Sequence, residues 1–117
     1  MNIEQDKIAI KFNEILDAGD VARIDNYLRQ HPFLFEHQSF SGTSMLHYAC
    51  SWGPLESVKR LVERGFAVNR PGPREGILPI RRALTGNHPD IVQYLIEQGA
   101  ILDTENSAEI PFFNAVI

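Results

Sequence analysis

The sequence predicts an all-α fold, a solenoid of stacked helix-turn-helix units joined by hairpin-like loops. Apolar residues recur at three- and four-residue spacing, which is typical of helices with one buried face. A fixed period also runs through the chain, and 117 residues are enough for one domain. Shifting the chain along itself by one period superimposes three pairs of glycines: Gly19 with Gly53, Gly42 with Gly76, and Gly65 with Gly99. These observations indicate a repeat protein.

The first unit, residues 6–31, is predicted to be a divergent N-terminal cap. Its segment 22–31 falls in the same register as the second helices of the later units. Terminal units of a solenoid need a polar outer face. Four charged side chains take outward positions in this unit: Glu14, Asp17, Arg23 and Arg29.

Two clear units follow, at residues 42–69 and 76–103. Gly65 and Gly99 stand where a left-handed residue ends the second helix of each unit. The buried stripes of these second helices are predicted at six apolar positions: Val58, Leu61, Val62, Ile91, Leu95 and Ile96.

The first helix of each clear unit is short and rich in small residues. We expect these helices to begin at Thr43 or Ser44 and at Pro79, because hydroxyl side chains cap helices well and proline suits a first turn. Ala49 and Ala83 occupy matching positions, as close packing against a neighbouring helix requires. The glycine-bearing connections between units can form tight turns.

The residues that carry this pattern resemble a known family. Residues 44–50, Ser-Met-Leu-His-Tyr-Ala-Cys, followed by Gly53, are similar to the ankyrin signature Thr-Pro-Leu-His-x-Ala-Ala-x-x-Gly. The next unit departs from that signature with Arg81 in place of histidine and Asn87 in place of glycine. The resemblance implies an ankyrin-like solenoid whose usual role is protein recognition. It also implies that His47 bonds its own turn and the neighbouring loop.

The C-terminal residues 108–117 match only the first helix of a further unit. This half repeat leaves Phe112 and Phe113 without a second helix to cover them. Three explanations stay open: the protein continues further, the helix forms an apolar cap, or another chain covers it. In the third explanation the covering chain includes a second copy of this protein, which is self-association through this end.

The residues that could take part in catalysis are better explained by structural or solvent-exposed roles. His47 and Cys50 lie three residues apart, but no basic cluster is present to activate the thiol, so we expect a structural histidine and a buried thiol. Two carboxylate pairs, Glu56 with Glu63 and Glu97 with Asp103, take outward helix positions where charge is solvated. We therefore expect no enzymatic activity, no metal and no cofactor.

Charge falls into three zones along the chain, which has a net charge of −4. Residues 1–58 hold four basic and eight acidic side chains, and residues 83–117 hold five acidic side chains and no basic ones. Between them residues 59–82, the basic belt, hold seven basic and two acidic side chains. The belt predicts either solvated helix faces or a partner with an acidic surface. Nucleic-acid binding is disfavoured by the pI of about 5.5.

Trp52 is the strongest candidate for partner contact, because large aromatic side chains dominate interface energetics. The alternative is that it packs inside the molecule beside Thr85 and Gly86. By the family resemblance, loop tips and the concave helix face complete the predicted surface: Phe40, Ser41, Thr43, Ser51, Trp52, Arg74, Glu75, Ile77, Arg81 and Thr85.

The predicted function is non-catalytic protein binding. An inhibitor or immunity-type protein that blocks an enzyme or toxin is the alternative, and nucleic-acid binding through the basic belt is a further one. The chain opens Met-Asn-Ile-Glu-Gln-Asp, without a signal-peptide pattern, and contains no apolar run that could span a bilayer. We expect a cytoplasmic protein without membrane contact.

Overall fold

Six α-helices form the described part of the chain, which comprises residues 3–38, 44–71 and 77–101 of a computed structural model. They are α1 (Ile3–Ala18), α2 (Val21–Gln30), α3 (Met45–Trp52), α4 (Leu55–Glu63), α5 (Pro79–Thr85) and α6 (Pro89–Glu97). A short 3-10 helix (Pro32–Phe35) follows α2, and Gln38 forms an isolated antiparallel bridge with Ser44. None of these helices is both long and apolar enough to cross a membrane. The all-α prediction is confirmed.

The helices stack as three pairs in two rows. The first helices α1, α3 and α5 pack side by side with α3 in the middle, and α4 packs between α2 and α6. The first pair lies within residues 3–30, the second within 45–63 and the third within 79–97, and the unit bounds 6–31, 42–69 and 76–103 stay predictions. The predicted half repeat at 108–117 lies outside the described residues.

The backbone follows the same period as the sequence. Gly19, Gly53 and Asn87 end the first helices of the three pairs, with φ of 68°, 72° and 60°. Asparagine replaces the third glycine because it enters the left-handed region more readily than most residues that carry a Cβ. Gly65 and Gly99, with φ of 110° and 92°, follow the second helices, as predicted.

One continuous apolar core runs through all three pairs. Its members include Phe12, Leu16, Ile24, Leu46, Ala49, Cys50, Val58, Leu61, Ile80, Ala83, Ile91 and Leu95. Four of the six predicted stripe positions belong to it, whereas Val62 is half-buried and Ile96 is 37% exposed. Val62 and Ile96 lie at the edge of the stripe, and α6 is the last helix of the described chain, with a neighbouring pair on one side only.

Polar bonds tie each unit to the next. The hydroxyl of Ser57 donates to the carbonyl oxygen of Leu16 at 2.6 Å, which joins α4 to α1. The Asn69 side chain donates to the carbonyl of Gly99 and accepts from the backbone N–H of Ile101, at 3.0 and 2.8 Å. The buried Ser57 bond fixes the spacing between the first two units, since a buried polar group left without a partner is destabilising.

His47 is structural, as the sequence predicted. Its Nε2–H donates to the carbonyl of Ile77 at 2.8 Å, and Nδ1 lies 2.6 Å from the hydroxyl of Ser44, which also caps α3. This arrangement links α3 to the loop before α5. Burial lowers the pKa of His47 below its ordinary value of 6.5, and the guanidinium groups of Arg82 and Arg70 lower it further, against the raising effect of the Ile77 carbonyl.

The ends of α3 and α5 approach so closely that Gly86→Ala should destabilise the fold. Gly86 has an ordinary φ of −79°, but an added methyl group would collide with the carbonyl oxygen of Ser51 and press on the ring of His88. We expect a loss of about 1–3 kcal/mol in the free energy of unfolding, measured by urea denaturation. The matched change Thr85→Ala should stay within about 0.5 kcal/mol. An unchanged midpoint for Gly86→Ala would contradict the close approach.

Candidate protein-binding surface

The three helix–helix turns form one edge of the molecule. Residues 17–23, 51–57 and 85–91, which we call the turn edge, contain the end of each first helix and the start of each second helix. Neighbouring turns touch. A Cβ at Gly19 would lie 3.0 Å from the ring of Pro54, and Nε2–H of His88 donates to the carbonyl of Ser51 at 2.8 Å.

Trp52 stands at the centre of the turn edge, with 69% of its surface exposed. It is the last residue of α3. The residues at the equivalent positions of the first and third units, Ala18 and Gly86, are small and exposed. Neither neighbouring unit therefore places a large side chain at the matching position. Of the two explanations that the sequence left open, the structure shows an exposed indole rather than one packed inside.

Tyr48 and Asp17 extend this surface. The Tyr48 hydroxyl donates to both carboxylate oxygens of Asp17, at 3.1 and 3.0 Å, and so joins α3 to α1. Burial, together with the Asp17 bond and its negative charge, raises the pKa of Tyr48 to about 12. Tyr48 lies one helical turn before Trp52, on the same face of α3. Sequence reasoning missed this pair, although the repeat register aligns Asp17 with Ser51 and Thr85.

The four other predicted surface residues that the structure describes lie at different distances from the turn edge. Ser51 is half-buried and Thr85 is exposed, and both lie at the turn edge with Trp52. The hydroxyl of Thr85 donates to the carbonyl of Arg81, a half-buried residue one turn earlier in α5. Ile77 is half-buried before the start of α5, about 10 Å from the turn edge by helix rise. Five predicted residues lie outside the described chain: Phe40, Ser41, Thr43, Arg74 and Glu75.

Three arginines of the basic belt form ion pairs with carboxylates of residues 1–58. Arg64 binds Asp25 through two bonds of 2.9 and 3.1 Å, and Arg60 lies 3.5 Å from the same carboxylate. Arg70 contacts Glu36 at 3.2 Å and donates to a backbone carbonyl of the 3-10 helix. These contacts lie away from the turn edge. They reduce the positive charge that the belt offers to an acidic partner or to nucleic acid.

The described residues include a buried cysteine, Cys50, and a cavity that lies away from the turn edge. Burial raises the pKa of the Cys50 thiol to about 12, which keeps it protonated at neutral pH. Among residues 3–38, 44–71 and 77–101, no three histidine, cysteine or acidic side chains lie close enough to share a metal ion. A cavity of about 310 Å³ beside the stacked rings of Phe35 and Phe66 carries the Arg70–Glu36 ion pair on its wall.

Comparison with known proteins identifies the central region of the chain. A sequence model described as ankyrin repeats (many copies) matches residues 46–96. Residues 46–96 are ankyrin repeats. The region runs from the start of α3 to the end of α6, so the signature at 44–50 identified the family correctly.

Two relatives and one solved structure are similar to parts of this chain. Mouse protein phosphatase 1 regulatory subunit 27 is 31% identical over 97 residues, which cover 83% of this chain and 62% of that protein. Mouse Rabankyrin-5 is 39% identical over 61 residues, or 52% of this chain and 5% of that protein. The chain thus spans less than two thirds of each relative. The solved structure is the Bd0816 predatory endopeptidase from Bdellovibrio bacteriovorus in complex with immunity protein Bd3460. One of its chains matches with a TM-score of 0.67 and 26% identity, covering 79% of this chain and 47% of that chain.

Proposed function

We propose that this chain is a non-catalytic recognition module that binds a partner protein through the turn edge around Trp52. One observation carries the proposal: an indole 69% exposed and flanked by small residues on both neighbouring units. A tryptophan offers a large, rigid contact area with few rotatable bonds, so little conformational entropy is lost on binding. Ankyrin repeats bind other proteins, which supports the proposal.

The stacked core supports this role by holding the surface rigid. α3 is packed between α1 and α5, and Ala49 and Cys50, just before Trp52, are fully buried. A surface fixed before binding loses less freedom when the partner docks. The predicted loop-tip contacts Phe40, Ser41, Thr43, Arg74, Glu75 and Ile77, together with Arg81, remain part of the proposal.

A second candidate is an inhibitor that blocks an enzyme. One relative is named as a phosphatase regulatory subunit, and the matching solved structure contains an endopeptidase in complex with an immunity protein. Such a role predicts a stoichiometric complex with one enzyme and loss of that enzyme's activity. Simple recognition predicts a complex in which the partner's activity is unchanged.

Trp52→Ala tests the proposed surface. We expect capture of the partner from a lysate of the source cells to weaken by about thirtyfold, because central aromatic anchors contribute about 2 kcal/mol or more to binding. The free energy of unfolding should change by less than about 0.5 kcal/mol, since the side chain is exposed. Quantitative pull-down and urea denaturation measure the two effects.

The matched control is Ile101→Ala, which also removes an exposed apolar side chain, 61% accessible. Ile101 follows α6 at the end opposite to His88, and so lies away from the turn edge. We expect this variant to capture the partner as well as the wild type does. Equal capture by Trp52→Ala and the wild type would place the binding surface elsewhere.

A further inference from the structure

The turn edge is acidic, although the basic belt dominates the middle of the sequence. Residues 17–23, 51–57 and 85–91 contain four carboxylates and one arginine. The arginine, Arg23, lies 3.6 Å from one of those carboxylates, Asp20. Glu56 and Asp90, both exposed, are the second residues of α4 and α6 and occupy equivalent positions one period apart. Folding thus gathers negative charge at the edge that carries Trp52.

Three of these carboxylates are linked to Trp52 or to its neighbours, either by a hydrogen bond or by a short stretch of chain. Asp17 accepts the hydroxyl of Tyr48, one turn before Trp52. Glu56 follows Trp52 by four residues, across the short turn into α4. Asp90 lies two residues after His88, whose ring bonds the carbonyl of Ser51. The first, second and third units therefore each contribute a carboxylate to the turn edge that carries the exposed indole.

We propose that the partner presents a basic segment to the turn edge, with an arginine or lysine side chain stacked on Trp52. An indole face attracts a cation, and nearby carboxylates strengthen that attraction with charge-assisted hydrogen bonds. Charge complementarity of this kind selects partners and speeds their association. The inference rests on the proposed function and adds to it the chemistry of the partner. It differs from the acidic partner that the basic belt predicted, because Asp25 and Glu36 pair with three of the seven basic side chains of that belt.

A titration with synthetic peptides tests whether the turn edge binds positively or negatively charged segments. Trp52 is the single tryptophan of the chain, so its fluorescence reports binding at the turn edge alone. An arginine-rich peptide should change the Trp52 fluorescence in a saturable, salt-dependent way, and a glutamate-rich peptide of the same length should leave it unchanged. Stronger binding of the glutamate-rich peptide would overturn the proposal.

A matched pair of variants distinguishes the effect of charge at the turn edge from the effect of the net charge of the chain. Glu56→Gln/Asp90→Asn removes two charges at the turn edge, whereas Glu63→Gln/Glu97→Gln removes two from the opposite ends of α4 and α6. We expect the first variant to bind the arginine-rich peptide about three- to tenfold more weakly, and the second to match the wild type. Equal weakening in both would show that only net charge matters, and would overturn the proposal.

The outcomes distinguish this inference from the proposed function. If Trp52→Ala loses the cellular partner while the glutamate-rich peptide competes for that partner, recognition through the turn edge stands and the basic segment is wrong. If Trp52→Ala keeps the partner, the proposed surface itself is wrong, whatever the peptides do.

Discussion

Phe12→Ala should lower the free energy of unfolding by about 3–5 kcal/mol, the largest effect that we expect from one side chain in the first unit. Phe12 is fully buried in α1 and stacks on Tyr27 of α2 at a ring distance of 6.2 Å. Its removal leaves a cavity in the core that runs through all three pairs. A loss of this size would lower the midpoint of urea denaturation without changing the slope.

The control lies on the same helix. Ile10→Ala removes an apolar side chain that is 61% exposed, and should change the free energy of unfolding by no more than about 0.5 kcal/mol. If Phe12→Ala behaved like Ile10→Ala, the N-terminal unit would not share a core with the two repeats that follow.

His47→Ala should destabilise the protein by about 2–4 kcal/mol. The imidazole is 2% exposed and bonds the hydroxyl of Ser44 and the carbonyl of Ile77 at the same time. Alanine would remove the donor to the Ile77 carbonyl and the acceptor of the Ser44 hydroxyl proton, and would leave a cavity. Tyr48→Phe removes a more exposed hydrogen bond, to Asp17, and serves as the control, with an expected loss below about 1 kcal/mol.

The same histidine should make stability depend on pH. Because the folded state holds the pKa of His47 below 6.5, the unfolded chain takes up a proton first as the pH falls. The contribution of His47 to the free energy of unfolding is fully present above pH 6.5. It is lost as the pH falls through the lower pKa of the folded state. Denaturation curves of the wild type should show this decline, and those of His47→Ala should lack the part due to this residue. An identical decline in both proteins would assign it to other groups.

Local patterns predicted the fold because each corresponds to a backbone requirement. The sequence period reappears as the positive φ of Gly19, Gly53 and Asn87, and the cap at Ser44 forms as expected. Burial of Cys50 also followed from its small-residue position. In a solenoid each unit contacts only its neighbours, so features within one unit determine much of the structure.

Contacts between units could be predicted only in part. The Tyr48–Asp17 bond and the Arg64–Asp25 ion pair each join residues of different units that lie far apart in the sequence. Their formation depends on the directions in which side chains leave neighbouring helices, which periodicity does not specify. For the same reason the basic belt suggested a positive surface, whereas folding pairs several of its arginines. The exposure of Trp52 was left open because it depends on the size of residues on both adjacent units.

Dynamic quenching of Trp52 by acrylamide tests the central claim most directly, because the chain contains no other tryptophan. In the free protein we predict the emission of a water-exposed indole and a quenching rate constant close to that of N-acetyl-tryptophanamide. Addition of the purified partner should slow the quenching several-fold as the indole becomes covered. Blue-shifted emission with slow quenching in the free protein, or the same fast quenching in the complex, would contradict a recognition surface built around Trp52.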